Sequence, residues 1–143
     1  MSKNGQRYLG IDNPTAMNQQ PTTNNQLTNN QVTEKDTALA HGSGTLKVLA
    51  TPAMVALMEQ AAWKSVQEQI QTGQTTVGTE ISIKHIKATP MGDTVEAKAE
   101  LVSAEGRKLS FKVEAFDSKG KIGFGTHTRY VVDEKPFLES LEQ

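Results

Sequence analysis

The sequence predicts an α+β fold in which a curved, five-stranded antiparallel sheet wraps around one long central helix. Two observations lead to this class. Apolar and polar residues alternate over several segments between positions 77 and 132, and a period of two with one polar face is typical of antiparallel strands. A single long helical pattern comes before these segments, near position 51. The expected order of elements is therefore β-α-β-β-β-β.

Four strands are expected after the helix, and each repeats its apolar residues at every second position. The repeats are Val77, Thr79, Ile81, Ile83 and His85 in the first strand, Val95, Ala97, Ala99 and Leu101 in the second, Leu109, Phe111, Val113 and Ala115 in the third, and Ile122, Phe124, Tyr130 and Val132 in the last. Turn signals rich in Gly, Pro and Asp separate them at 89–93, 104–106 and 117–120. A short strand at 45–49 is expected before the helix.

The helix is expected to run from position 51 to about 71. Thr51 suits the N-cap, Pro52 suits the first helical position, and Thr72-Gly73 can end the helix. Its polar stripe consists of Gln60, Lys64, Gln67, Glu68 and Gln71. Because positions 52–58 are apolar on all sides, we expect the first half of the helix to be enclosed.

The first 31 residues differ in character from the rest of the chain. They contain seven Asn, five Gln and only three charged residues, so they offer little apolar surface to offset the entropy of ordering. We interpret residues 1–31 as a flexible tail without chemistry of its own, with docking on a dimer surface as the alternative. Residues 32–143 are expected to form one folded domain.

The overall composition excludes several functions. The formal net charge is −1, whereas nucleic acids and anionic membranes require a basic surface, so neither is expected as a partner. The chain has no Cys, which excludes disulfides, thiol nucleophiles and Cys-based metal sites. The first residues lack the apolar segment of a signal peptide. We therefore expect a cytoplasmic protein.

Glu59 is a polar residue at an unexpected position. It lies about 80° outside the polar stripe of the helix at roughly 100° per residue, beside Val55, Ala62 and Trp63. A carboxylate on an apolar face costs several kcal/mol unless it is paired, hydrogen-bonded or protonated. Such groups are common at functional sites, so Glu59 is a candidate acid or base. The alternative is a side chain that bends out to water or forms one structural ion pair.

His85 and Thr51 are the other two candidates. His85 shares a strand face with Ile81 and Ile83, and an inward carboxylate together with an inward imidazole is a common acid–base arrangement. A hydrogen-bonded core histidine is the alternative. Thr51 is explained by helix capping alone, yet a hydroxyl at a helix N-terminus also lies where a developing oxyanion is stabilised.

The remaining histidines carry weaker signals. His41 lies in a Gly-rich lead-in, and His127 lies on the strand face opposite Phe124 and Tyr130. We interpret both as structural or surface residues. The three histidines have no ligand spacing, so no metal site is expected.

Taken together, these segments resemble the fluoroacetyl-CoA thioesterase-like family of hotdog-fold acyl-CoA thioesterases, over about residues 32–138. The motifs are GSG at 42–44, VLATPAMVALME at 48–59, TTVGTEI at 75–81, HIKATPMG at 85–92 and GTHTR at 125–129. Their order and spacing make the resemblance specific, with 8 residues from Thr51 to Glu59 and 26 from Glu59 to His85.

The resemblance implies a hotdog fold, a homodimer and hydrolysis of an acyl-CoA thioester to free acid and CoA. It also implies that the catalytic Thr, Glu and His of the family fall on Thr51, Glu59 and His85, and that Gly78 lies near the acyl group. CoA would enter as part of the substrate, with no separate cofactor. Positions 45–47 lack the bulky aromatic residues that gate the fluoroacetate-specific member. We therefore expect a broader or different short-chain acyl-CoA.

Other functions remain open from the sequence. A hotdog enoyl-CoA hydratase or dehydratase also uses His with a carboxylate, although the usual hydratase motif is not evident. A non-enzymatic acyl-CoA-binding module would bind the thioester without releasing thiol. A purely structural protein would keep Glu59 and His85 apart in space.

Overall fold

Five strands form one antiparallel sheet around the long helix in the computed structural model of the protein, which describes residues 28–142. The strands are β1 (Thr28–Gln31), β2 (Gln74–His85), β3 (Thr94–Glu105), β4 (Lys108–Asp117) and β5 (Gly120–Asp133). The helices are α1 (Ala38–His41), α2 (Thr51–Val66) and α3 (Glu134–Ser140). Two short 3₁₀ turns cover Glu34–Asp36 and Gln67–Gln69.

The strand order is β1-β3-β4-β5-β2, so β1 and β2 are the edge strands. The long helix α2 packs chiefly against β3 and β4, whose predicted apolar faces are buried. Those faces consist of Val95, Ala97, Ala99, Leu101, Leu109, Phe111, Val113 and Ala115. The predicted α+β arrangement of one helix and a five-stranded antiparallel sheet is confirmed.

The strand expected at 45–49 is wrong. Val48 and Leu49 make only isolated bridges, to Pro90 and to Thr37 respectively, because this segment contacts two different neighbours instead of running beside one strand. The first strand is Thr28–Gln31, which pairs with β3. These four residues belong to the segment interpreted as the tail, and residues 1–27 of that segment lie outside the described residues.

The ends of α2 differ from the prediction by several residues. Ala50 is the N-cap and Thr51 is the first helical residue. Ala50 serves as the cap because its amide donates to the Asp36 carbonyl and its own carbonyl accepts from Met54, while the Thr51 hydroxyl is hydrogen-bonded elsewhere. The α-helix ends at Val66 and tightens into the 3₁₀ turn before Gly73.

The first half of α2 is enclosed on one side only. Met54, Leu57 and Met58 are buried, whereas Pro52 and Ala56 are exposed. Residues 28–142 therefore do not enclose the first half of the helix completely, and the prediction of full enclosure is wrong for this part of the chain. The exposed side of the helix continues to Trp63, which is 37% exposed.

A bulge in β2 changes which residues face the helix. The pairing of β2 with β5 shifts between Gly78 and Glu80, so an extra residue on one strand reverses the side-chain alternation. After the bulge the prediction holds, because the half-buried positions are Ile81, Ile83 and His85 and their neighbours are exposed. Before the bulge it fails, because Val77 pairs with the exposed Tyr130 on the outer face. The single face predicted from 77 to 85 is therefore divided at the bulge.

Gly125 allows β5 to approach β2 closely. A Cβ atom at this position would overlap the carbonyl oxygen of Ser82 and lie 2.7 Å from the Cα of Ile83. We expect Gly125→Ala to lower the free energy of unfolding by about 1–3 kcal/mol, because the two backbones must separate. Urea denaturation measures this loss. Thr126→Ala, at an exposed neighbouring position, is the control, and an equal loss in both variants would contradict the explanation.

A buried carboxylate fixes the turn between β4 and β5 to the segment after β2. The Asp117 side chain accepts hydrogen bonds from Lys87 Nζ at 2.6 Å, Thr89 Oγ1 at 2.8 Å and the Lys119 amide at 2.8 Å. Burial acts to raise the pKa of Asp117, but these hydrogen bonds and the Lys87 charge outweigh it and hold the pKa below its usual value of 3.8.

We expect Asp117→Asn to lower the free energy of unfolding at pH 7 by about 1–3 kcal/mol, because every neighbour is a donor and the new amide group must face one of them. The folded carboxyl has the lower pKa, so its contribution is present above the unfolded pKa and is lost as the pH falls through the folded value. Urea denaturation from pH 7 to pH 3 should show the difference between wild type and variant shrinking. A constant difference would contradict the role of the charge, and Glu96→Gln on an exposed site is the control.

Candidate active site

Thr51 and His85 meet where the long helix begins and β2 ends. Thr51 Oγ1 lies 2.8 Å from His85 Nδ1, within hydrogen-bond distance. Thr51 belongs to the first turn of α2, where the helix dipole favours negative charge. His85 is brought to this point because it is the last residue of β2, on the inward face that follows the bulge.

The His85 imidazole has an unused nitrogen. Its Nε2 atom is buried and has no hydrogen-bond partner among residues 28–142. Burial lowers the pKa of His85 below 6.5, and a backbone group of Lys87 opposes this in part. The ring is therefore neutral at pH 7, with one nitrogen engaged by Thr51 and the other buried without a partner among the described residues.

A pocket of about 410 Å³ opens beside this pair. Its wall includes Thr51 and His85, Lys87 from the segment after β2, and Ser43 from the GSG motif. Leu49 and Pro52 add apolar surface. The pocket therefore combines a hydroxyl, an imidazole and a helix N-terminus in one concave site, as acyl-transfer chemistry requires.

Glu59 and Gly78 form a second pair on the inner side of β2 and β5. A Cβ atom at Gly78 would lie 2.9 Å from Glu59 Oε2 and 3.1 Å from Arg129 Nη1. The Glu59 side chain is 41% exposed, and its carboxylate lies 3.9 Å from Arg129 Nη1. The carboxylate therefore remains accessible beside a backbone segment without a side chain.

The structure groups the four predicted site residues as two pairs. In residues 28–142, no hydrogen bond or ion pair joins Glu59 to His85 or to Thr51. Glu59 is also absent from the residues that line the pocket beside Thr51. A substrate must therefore bridge the two pairs if all four residues act together.

Two further residues belong to the Glu59 group and were not predicted. His127 is 2% exposed and faces inward, so of the two interpretations given for it, structural or surface, the structure agrees with the structural one, whereas His41 is exposed at the end of α1. Arg129 is 7% exposed and lies one inward position further along β5. The predicted phase of β5 is wrong at this point, because Phe124 and Tyr130 were placed in its apolar repeat, whereas both are exposed and His127 and Arg129 face inward.

The residues from 28 to 142 contain no group of three or more His, Cys, Asp or Glu able to hold a metal ion. In the same part of the chain, no helix has the length and hydropathy needed to cross a bilayer.

Comparison with solved structures shows the class of protein to which this fold belongs. A crystal structure of the fluoroacetyl-CoA thioesterase matches with a TM-score of 0.76 and 35% identity, over 82% of this chain and 91% of the other. A variant of the fluoroacetyl-CoA-specific thioesterase, crystallised with fluoroacetate and CoA, matches with a TM-score of 0.77 and 35% identity, over 82% and 96%. A thioesterase superfamily member from Thermus thermophilus matches with a TM-score of 0.74 and 25% identity, over 81% and 85%. The predicted hotdog thioesterase fold is confirmed.

The family follows from the sequence comparisons. Residues 32–135 match the model of the fluoroacetyl-CoA-specific thioesterase family. The fluoroacetyl-CoA thioesterase of Streptantibioticus cattleyicolor is 42% identical over 97 residues, which are 68% of this chain and 70% of that protein. The chain belongs to this thioesterase family, and the predicted hydrolysis of an acyl-CoA thioester is confirmed.

Proposed function

We propose that Thr51, Glu59 and His85 carry out thioester hydrolysis on a short-chain acyl-CoA. The observation that carries this proposal is the 2.8 Å contact between Thr51 and the neutral, half-buried His85 at the wall of a pocket. The scissile carbonyl would lie between this pair and the Glu59–Gly78 pair. Such a position places a carboxylate, a hydroxyl and an imidazole around one carbon atom.

Each group has a role suited to its surroundings. The Thr51 hydroxyl and the positive end of α2 would stabilise the oxyanion that forms when the carbonyl is attacked. Glu59 would activate a water molecule or attack as a nucleophile. The neutral His85 ring would accept a proton during the attack and pass it to the departing CoA thiolate, or would polarise the attacking group. Gly78 would let the acyl group approach the backbone of β2 next to Glu59.

A homodimer is the second part of the proposal. β2 is an edge strand of twelve residues that pairs only with β5 among the described strands, and an unpaired edge of this length invites pairing with another chain. On α2, the half-buried Val55 and the exposed Ala56 and Trp63 form a stripe that no other element of residues 28–142 covers. Glu59 lies within this stripe, so a second subunit would enclose it. Light scattering that finds only a 15.6 kDa species would contradict the dimer.

The acyl group is expected to be short, but not restricted to fluoroacetyl. Residues 45–47 are Thr-Leu-Lys, and Leu46 is 65% exposed, so no bulky aromatic side chain from this segment closes over the pocket. A thiol-release assay over acetyl-, fluoroacetyl-, propionyl-, butyryl- and longer acyl-CoAs tests this proposal, with Glu59→Gln as the inactive control. Turnover of fluoroacetyl-CoA alone would contradict the broader specificity.

The same panel separates the rival functions. A hydratase would convert enoyl-CoA without releasing thiol, and a binding module would bind acyl-CoA tightly with no turnover. Release of one thiol for each acid formed from saturated acyl-CoA supports hydrolysis. We also propose a cytoplasmic location, where acyl-CoA is available, and cell fractionation tests it.

A further inference from the structure

The Arg129 guanidinium is held by three hydrogen bonds inside the protein. Its Nε donates to Thr76 Oγ1 at 2.8 Å, and its Nη2 donates to the Thr76 carbonyl at 3.0 Å. Its Nη1 donates to His127 Nε2 at 3.2 Å. The side chain is only 9% exposed. Because a guanidinium is planar, contacts on three of its nitrogens fix both its position and its orientation.

The acceptor role of His127 Nε2 follows from its other nitrogen. His127 Nδ1 lies 2.8 Å from the carbonyl oxygen of Glu80, which can only accept a hydrogen bond. Nδ1 therefore carries the proton, and Nε2 of the neutral ring is left as an acceptor for Arg129. Burial first, and then the Arg129 charge, lower the pKa of His127 below 6.5. The ring also packs against Phe111, with centroids 6.1 Å apart.

The same Nη1 atom that donates to His127 is the Arg129 atom closest to Glu59. It lies 3.9 Å from Glu59 Oε2, and both atoms approach the site of a Cβ at Gly78. In residues 28–142, Arg129 makes the only ion pair of Glu59. Glu59 is 41% exposed. Without Arg129, its carboxylate could therefore rotate away from Gly78 into the solvent.

We propose that Arg129, held in place by Thr76 and by the Nδ1–H form of His127, is a positioning residue that directs the Glu59 carboxylate toward Gly78 and the acyl carbonyl. Arg129 acts through Glu59 and takes no part in the proton transfers. This inference rests on the proposed role of Glu59, and it assigns a task to the GTHTR motif on β5.

The kinetic test is a double-mutant cycle between Arg129→Gln and Glu59→Gln. Alone, Arg129→Gln should lower kcat by about 10–100-fold with little change in KM, because a carboxylate displaced by about 1 Å loses its productive geometry. In the Glu59→Gln background the same change should lower kcat by less than about 3-fold, since the effects of residues that act as a unit are not additive.

Arg107→Gln, at a half-exposed Arg paired with Asp133, is the matched control and should leave kcat unchanged. Equal losses in both backgrounds would overturn the proposal.

Two measurements are independent of turnover. Crystal structures of the wild type and of Arg129→Gln should differ in the Glu59 carboxylate, which is expected to move away from Gly78 by about 1 Å or more. Nitrogen-15 NMR at pH 7 should show a proton on His127 Nδ1 and none on Nε2. An unmoved carboxylate, or a protonated Nε2, would overturn the proposal. A wild type without thioesterase activity would refute the proposed function alone, because these two results do not depend on catalysis.

Thr76→Val keeps the test informative if Arg129→Gln does not fold. The substitution removes only the hydroxyl that accepts from Arg129 Nε and keeps the arginine itself, with one of its three hydrogen bonds lost. A smaller loss of kcat that again disappears in the Glu59→Gln background supports the proposal. A loss that persists there contradicts it.

Discussion

Glu59→Gln is expected to lower kcat by about 10²–10⁴-fold, the contribution usual for a group that transfers a proton in the transition state. The amide has nearly the same shape, so it removes the basic and nucleophilic oxygen with little change in packing. Because Glu59 is 41% exposed and its ion pair with Arg129 spans 3.9 Å, the variant should fold as the wild type does. Stopped-flow thiol release under saturating acyl-CoA measures kcat directly.

The control for this prediction is Glu68→Gln, an exposed carboxylate just beyond the end of α2. It changes the net charge by the same amount and should leave kcat within about 2-fold of the wild type. Unchanged turnover in Glu59→Gln would remove this residue from the mechanism. An acylated Glu59 peptide in rapid-quench mass spectra would identify the carboxylate as the nucleophile, and its absence would favour activation of water.

Strong alternation in the sequence accounts for the parts of the fold that were predicted correctly. From Val95 to Leu101 on β3 and from Leu109 to Ala115 on β4 the inward residues are apolar and the outward residues are polar, so the faces that cover α2 could be predicted directly. The turn at 117–120 also lies where its Asp and Gly predicted it. These signals are local, because each depends on residues within a few positions of one another.

The errors arise where tertiary contacts decide the local structure. β1 consists of Thr28–Gln31, four polar residues without alternation, and it exists because β3 offers a free edge. The 45–49 segment has the apolar character of a strand but contacts two neighbours at single residues. No periodicity in either segment indicates which of them pairs with a strand.

In the candidate site, too, the residues with a local sequence signal were predicted and the contacts between distant residues were not. Glu59 could be found from its position on an apolar helix face, and His85 from its inward phase on β2. Arg129 could not be connected to Glu59, because their contact joins a helix to a strand seventy residues later. The bulge after Gly78 is also invisible in the sequence, yet it sets the strand phase that turns His85 toward Thr51.

His85→Ala is the second substitution with a large expected effect, a loss of about 10²–10⁴-fold in kcat. It removes the ring nitrogen that contacts Thr51 at 2.8 Å and the buried Nε2 that has no partner in residues 28–142. The variant leaves Glu59 and Arg129 in place, so any remaining activity measures what the carboxylate achieves alone. His41→Ala, at an exposed histidine, is the control for loss of an imidazole.

The pH dependence adds a second test of His85. Burial lowers its pKa in the folded protein, so the free enzyme carries a neutral ring at pH 7 and gains a charge only when the pH falls through that lowered value. If the neutral ring is the active form, kcat/KM should decline on the acid side with a midpoint below 6.5. In His85→Ala that decline should disappear or move to the range in which carboxylates titrate. An unchanged acid limb, together with unchanged turnover, would assign His85 to the structure of the pocket and leave the chemistry to Glu59 and the end of the helix.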